Sequence, residues 1–305
     1  MNQSIFYKQA DLLLQVLPEI AKYKQFALKG GTAINFFHQD LPRLSVDIDL
    51  AYVPLGNRDA ALQDISQALI KISQAIQRQI PDIRITQKRI QNTEYFCALI
   101  VNRNGITVKI ETNHVTRGTV YPAETKELSD AVYTTFQRFV AVQTLSFSDL
   151  YGGKLCAALD RQHPRDFYDI KLLLDKTGMT PAIHKAFLVY LISHPRPIVE
   201  LLNPNFREIK TTFENEFEGM TRERVSLSEL EHTQNKLPEL ISKKLSNSDR
   251  TFLLLFKKRE PQWELLGVSG AKELPAVKWK LENLAKMKTK KHKRAVDKLA
   301  EYLEI

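Results

Sequence analysis

Cysteine is nearly absent: two in 305 residues, Cys97 and Cys156. Neither belongs to a CxxC pair or to Cys/His spacing suited to zinc, and both lie among apolar neighbours (FCALIV, KLCAAL). They read as buried free thiols, not as a metal site or a disulfide framework. Glycine and proline are sparse as well, 11 and 13, which excludes collagen-like and linker-like composition. No window approaches 18 uninterrupted apolar residues, so no transmembrane helix is expected. The first residues, MNQSIFYKQADLLLQ, lack a basic segment followed by an apolar stretch and a small-residue cleavage site, so a cytoplasmic protein is expected. No GxGxxG, HExxH or GxSxG occurs, and His38, His114 and His163 read as surface or core residues. Acidic residues are in deficit, 35 against 44 Lys and Arg, for a net charge of +9. That balance suits a polyanionic partner and suits a plain solvated basic surface equally well.

What is present is an ordinary globular composition, 43% hydrophobic and 26% charged, with length for one large domain or two lobes. Residues 5–20 and 59–80 carry apolar residues at helical steps. Val46-Asp47-Ile48-Asp49-Leu50 alternates as a strand does. Strands are expected over Asp82–Ile90, Glu94–Val101 and Ile106–Asn113, the last two joined by the Asn102-Arg103-Asn104-Gly105 turn. From about Ser148 the pattern turns helical, with a second helix over Asp166–Lys176. Helix, strand, long helix and then several strands argue for a mixed sheet, not a doubly wound fold. The fold class expected is α/β (α+β), with a core over residues 1–178 and a mostly helical lobe over 179–305.

The sharpest local feature is Asp47-Ile48-Asp49. Residues i and i+2 of a strand share a face, so two carboxylates stand side by side. A hard cation relieves their repulsion, and Mg²⁺ takes one or two carboxylates plus substrate phosphate oxygens. An exposed edge-strand face would need no metal. Upstream, Lys29-Gly30-Gly31-Thr32 precedes an apolar helix, where glycines open the backbone N–H groups to phosphate. A plain tight turn is the alternative. Together the two features describe a triphosphate held against a metal-bearing strand.

The segment FALKGGTAINFFHQDLPRLSVDIDLAYV resembles the first motif of the DNA polymerase β superfamily of nucleotidyltransferases, hG[GS]…Dh[DE]h. Arg43 to Leu50 is closer to the AbiEii/MenT-type toxin nucleotidyltransferases. Lys154 to Ile170 (KLCAALDRQHPRDFYDI) resembles that branch's K-L-x-A-L-x-x-R-x-x-x-R-D-x-x-D signature. The Gly31–Asp47 spacing is longer than in many superfamily members, which a longer first helix would absorb. The resemblance implies a polymerase-β-like core, an NTP substrate with Mg²⁺ (Mn²⁺ as the other candidate), Asp47 and Asp49 as ligands, Lys154 on the triphosphate and a required Asp169. Superfamily sites usually add a third carboxylate. Glu111 is the local candidate, on one face of its strand with Lys109, which would contact phosphate instead. Arg165 suits phosphate oxygens, Asp166 could orient Lys154 or Arg165, and Thr32, Arg43 and Ser45 could touch nucleotide or metal. Ser45 and Arg43 are read as sharing the face of Asp47.

Residues 272–305 hold ten Lys/Arg and five Asp/Glu, with a broken apolar face through Trp279, Leu284 and Leu299. RNA backbone contact and a solvated helix are the two readings. The expectation is a toxin that moves a nucleotidyl group to the 3′ end of tRNA and inhibits translation, with a cognate antitoxin protein as partner and no membrane. A protein acceptor, or NTP/RNA binding without transfer, are the alternatives.

Overall fold

The computed structural model describes residues 4–305, so the first three residues of the expected 1–178 core lie outside the described residues. The chain separates into two compact units. The first runs to Leu150 and includes Glu218–Arg224; the second comprises Tyr151–Phe217 and Val225–Ile305.

The first unit contains α1 (Ile5–Ala21), β1 (Phe26–Lys29), α2 (Gly30–Ala33), β2 (Asp47–Tyr52), α3 (Arg58–Gln79), β3 (Ile83–Arg89), β4 (Phe96–Arg103), β5 (Ile106–Asn113), β6 (Glu124–Glu127), α4 (Asp130–Phe136) and β7 (Ala141–Thr144). The strands form one mixed sheet in the order β3-β4-β5-β2-β1-β7-β6. β2 is central, antiparallel to β1 and parallel to β5. Alternation sets its faces: Ile48 and Leu50 are fully buried, while Asp47 and Asp49 are half-buried on the other face. The helical stripes close the core, with Leu13, Val16 and Leu17 of α1 and Leu62, Ile65, Leu69, Ile72 and Ile76 of α3 all buried.

The expected hairpin is tighter than its four-residue turn suggested. β4 continues to Arg103, leaving Asn104 (φ 50°) and Gly105 (φ 81°) as a two-residue turn in the left-handed region, matched to strand twist. The long Gly31–Asp47 spacing is not taken up by a long helix. α2 is followed by a five-residue π-helical turn, Ile34–His38, and residues 39–46 form a loop.

The second unit is helical. It comprises α5 (Phe147–Arg161, whose first turn belongs to the first unit), α6 (Pro164–Lys176), α7 (Pro181–Ser193), α8 (Ile198–Leu202), α9 (Lys210–Glu216), α10 (Leu227–Lys244), α11 (Asn247–Lys258), α12 (Trp263–Leu266), α13 (Pro275–Ala285) and α14 (Thr289–Leu303). Gly152 lets α5 lie against α7: a Cβ there would stand 2.7 Å from Ala186 Cβ and 2.8 Å from Phe187 N. The basic C-terminal segment is part of this body. Val277, Leu284, Leu299 and Leu303 are buried, and Arg250 Nη1 donates to the Leu303 carbonyl at 2.9 Å. Among the described residues no helix is long and apolar enough to cross a membrane.

Candidate active site

The glycine pair sits where β1 passes into α2, and Lys29 is in register with Asp49 of β2. Gly30 has φ +70°, and a Cβ on it would lie 2.5 Å from Asp49 Oδ2. A Cβ on Gly31 would lie 2.6 Å from Arg43 Nη2 and 3.2 Å from Ser45 Oγ. Close approach, and at Gly30 backbone conformation as well, therefore demand both glycines. Thr32 Oγ1 donates to the Asp47 carbonyl at 2.5 Å and is hydrogen-bonded to Ser45 Oγ at 2.8 Å. The start of α2 is thus tied to the start of β2.

Arg43 and Ser45 are not on the strand face, because β2 begins only at Asp47. Both are buried in the preceding loop, and Arg43 Nη1 donates to the Leu44 carbonyl at 2.9 Å. A distant segment braces this loop: Leu44 N donates to Met220 O (2.8 Å), Arg222 N donates to Pro42 O (2.9 Å), and Arg43 bridges Thr221. Nothing in the sequence pattern marked residues 218–224 as part of the site's frame. A backbone bridge places no demand on side-chain type.

β5 lies beside β2 with Lys109 opposite Asp47 and Glu111 opposite Asp49. Lys109 Nζ donates to Glu111 Oε2 at 2.5 Å, both side chains being close to half exposed. That hydrogen bond, with the added charges of Asp47 and Asp49, raises the Lys109 ammonium above its ordinary range despite some burial. Three carboxylates and one lysine therefore share one field. Among the described residues no three His, Cys, Asp or Glu side chains are gathered as a metal-holding group. The fit to a divalent cation rests on Asp47 and Asp49, two hard oxygen donors on one face beside the glycine cradle, a set that leaves remaining positions to phosphate and water.

The second block lies on α5 and α6. Lys154 Nζ stands 2.9 Å from Asp166 Oδ1 and 3.0 Å from Asp169 Oδ2, with all three side chains buried. Arg161, whose side chain is 54% exposed, donates to both oxygens of Asp166 through Nε (2.5 Å) and Nη2 (2.8 Å). Burial alone would raise the Asp166 carboxyl, but Lys154 and Arg161 hold it far below the usual carboxylate range. Removing one member of such a buried set strands a charge, at a cost of about 3–5 kcal/mol. Arg165 is turned toward His163, which caps α6: its backbone N donates to His163 Nδ1 at 3.1 Å, and its Nη2 lies 3.5 Å from His163 Nε2. Arg161 is not among the site candidates read from the sequence. Its paired grip on Asp166 is the reason to add it.

Paired carboxylates on a central sheet strand, set against a Gly-Gly turn, are an arrangement suited to nucleotidyl transfer. The family profile described as "Nucleotidyl transferase AbiEii toxin, Type IV TA system" matches residues 11–281, and the chain belongs to this family. Its fold is similar to that of MenT4, the nucleotidyltransferase toxin Rv2826c from Mycobacterium tuberculosis H37Rv. The TM-score is 0.61 at 13% identity, over 92% of this chain and 93% of that one. A comparison with curated protein sequences finds no match. Membership makes the protein a nucleotidyltransferase toxin that takes an NTP, and it implies an antitoxin partner.

Proposed function

We propose that the protein transfers a nucleotidyl group from an NTP to the 3′ end of tRNA, in a divalent-metal-dependent reaction that inhibits translation. The observation that carries this reading is the pair Asp47 and Asp49 on the central strand, with Asp49 packed against Gly30. In it, Asp47 and Asp49 hold Mg²⁺ or Mn²⁺, with Glu111 adjacent on β5. The bound ion supplies positive charge to the triphosphate and acidity to the attacking hydroxyl. Gly30 and Gly31 bring backbone N–H groups to the phosphates, and Thr32, Ser45 and Arg43 fix the turn against β2. The acceptor oxygen attacks the α-phosphorus in line, and pyrophosphate leaves with the hydroxyl proton released.

Lys154, Arg165, Asp166 and Asp169 enter through their match to the family signature. The signature gives Lys154 and Arg165 phosphate-binding roles, and within the second unit Asp166 and Asp169 hold Lys154 in place. The net charge of +9 favours an RNA acceptor over an acceptor of neutral surface. Such a reaction belongs in the cytoplasm, where NTPs and tRNA are found together.

The test incubates the protein with each α-labelled NTP, Mg²⁺ and total RNA, alongside the Asp47→Ala/Asp49→Ala variant. Label on tRNA is expected, lost in the variant and lost when the tRNA 3′ diol has been oxidised by periodate. Label on protein instead would replace the tRNA acceptor with a polypeptide one. Label on nothing, from folded protein, contradicts the transfer reading.

A further inference from the structure

The second unit holds a cavity of about 530 Å³ between the residues after α7, α8, the end of α11, and the faces of α13 and α14. Its walls include Ile198, Leu284 and Leu299, and its rim carries Trp279, Lys291 and Lys298. Two lysines stand in its wall, both 7% exposed. Lys280 has used all three of its protons: Nζ donates to the carbonyls of His194 (2.5 Å), Pro195 (3.0 Å) and Arg196 (2.9 Å). Those neutral carbonyls hold the ammonium, and its counter-charge, Glu200, acts only at longer range.

Lys257 differs. Among the described residues its ammonium makes no hydrogen bond, and no carboxylate lies within ion-pair distance of it. The one acidic residue lining the cavity, Glu200, is engaged by Arg196 at 3.5 Å. The Lys257 stem is buried while its nitrogen stays open to the cavity, where Glu200 acts on it only at longer range, so the ammonium is placed to receive an anion there. Burial, and the neighbouring Lys257 charge, push the Lys280 ammonium down to about 8, and burial lowers Lys257 as well, with the Glu200 charge opposing both.

The remaining features define the anion's body. The lining is mostly apolar, and the Trp279 indole is 45% exposed at the rim, a platform on which a base stacks. Lysines supply compact point charges suited to a phosphate that must be held without fixed orientation. We infer that this cavity is a nucleotide-binding site distinct from the residues of the transfer reaction, with the phosphate at Lys257 and the base on Trp279. The nucleotide arrives free or as one unit of an RNA strand; the recognised chemistry is the same. The inference does not rest on the transfer reading, because none of its residues belongs to the Asp47/Asp49 site or to the α5–α6 cluster.

The protein has two tryptophans, Trp263 and Trp279. A Trp263→Phe background therefore makes Trp279 the reporter. With EDTA present to silence metal-dependent binding, AMP, UMP and a five-nucleotide oligouridylate are titrated while indole fluorescence is followed. Saturable quenching is expected, weakened at least about tenfold in Lys257→Met, which keeps the aliphatic stem, and several-fold in the exposed-rim variant Lys298→Glu. Quenching by AMP and UMP identifies a free nucleotide; quenching by the oligomer alone identifies RNA. No saturable quenching by either, or affinities unchanged in Lys257→Met and Lys298→Glu, overturns the inference. So does quenching by polyglutamate in the absence of any nucleotide response, which would make the cavity an acidic-peptide site.

Discussion

At the scale of single residues, Gly30 is the position where conformation and contact coincide. Its φ of +70° disfavours any side chain, and the added methyl would meet Asp49 Oδ2. Gly30→Ala is expected to cost more than about 1 kcal/mol in urea unfolding, because a non-glycine residue is strained at this φ and its methyl also meets Asp49. Its transfer activity should fall far more, on the order of 100-fold, because a displacement of about 1 Å in a positioning group carries that scale of loss. A parallel fall in both, or no fall in activity, would separate Asp49 from the site. His38 offers a pH-dependent contrast. It is buried beside Thr144, and burial brings its imidazole down to about 4. Because the folded pKa lies below the unfolded value, the unfolded chain takes up the proton first. The stability held by neutral His38 is therefore complete above about pH 6.5 and is lost as pH falls toward 4. At pH 5 the loss is about 2 kcal/mol, and it should shrink in His38→Gln when urea midpoints at pH 7 and pH 5 are compared. The depressed carboxyls of Asp166 and Asp249 act only at lower pH, below the ordinary carboxylate value, so they do not confuse this window.

At the scale of elements, legibility in the sequence followed length and period. α1 and α3 were plain because their apolar steps run for 17 and 22 residues. The β4–β5 hairpin was plain because alternating strands flank Asn-Gly. β6, α4 and β7 were not read at all. They are 4, 7 and 4 residues long, and the edge strand Glu-Thr-Lys-Glu has no apolar face to reveal it. The site divides in the same way. Asp47 and Asp49 follow from strand alternation, and Gly30-Gly31 from the turn before α2, whereas Arg43 and Ser45 were put on the strand when they lie in a loop held by residues 218–224. That bracing depends on contacts across more than 170 positions, which no local pattern encodes. The α5–α7 crossing gives an element-scale prediction. Gly152→Val must push against Ala186 and the Phe187 backbone, so thermal unfolding should report a loss of about 1–3 kcal/mol, the range for an overpacked interface. Gly153, whose nearest neighbours are Tyr190 ring atoms at 3.9 Å, should accept alanine with little change.

At the scale of the whole molecule, the charge of +9 and the helical second unit belong together. Residues 272–305 are basic, but they are also structural: α13 and α14 bury Val277, Leu284, Leu299 and Leu303, and the Tyr302 hydroxyl donates to the Leu202 carbonyl at 3.0 Å. Truncation after residue 271 is thus expected to loosen the second unit, seen as lost near-ultraviolet circular dichroism, and not simply to subtract a nucleic-acid-binding arm. Charge reversal at exposed Lys291 and Lys298 is the cleaner way to weaken RNA binding, with the salt dependence of affinity becoming shallower as phosphate contacts are removed. The central claim is that the paired carboxylates of β2 serve nucleotidyl transfer. Pyrophosphate release, measured with purified tRNA, NTP and Mg²⁺ against label incorporated, tests it most directly. One pyrophosphate per nucleotide added is predicted for the native protein, with both signals falling by at least about 100-fold in Asp47→Asn and Asp49→Asn at unchanged circular dichroism. Undiminished release and incorporation in these folded variants would contradict the account.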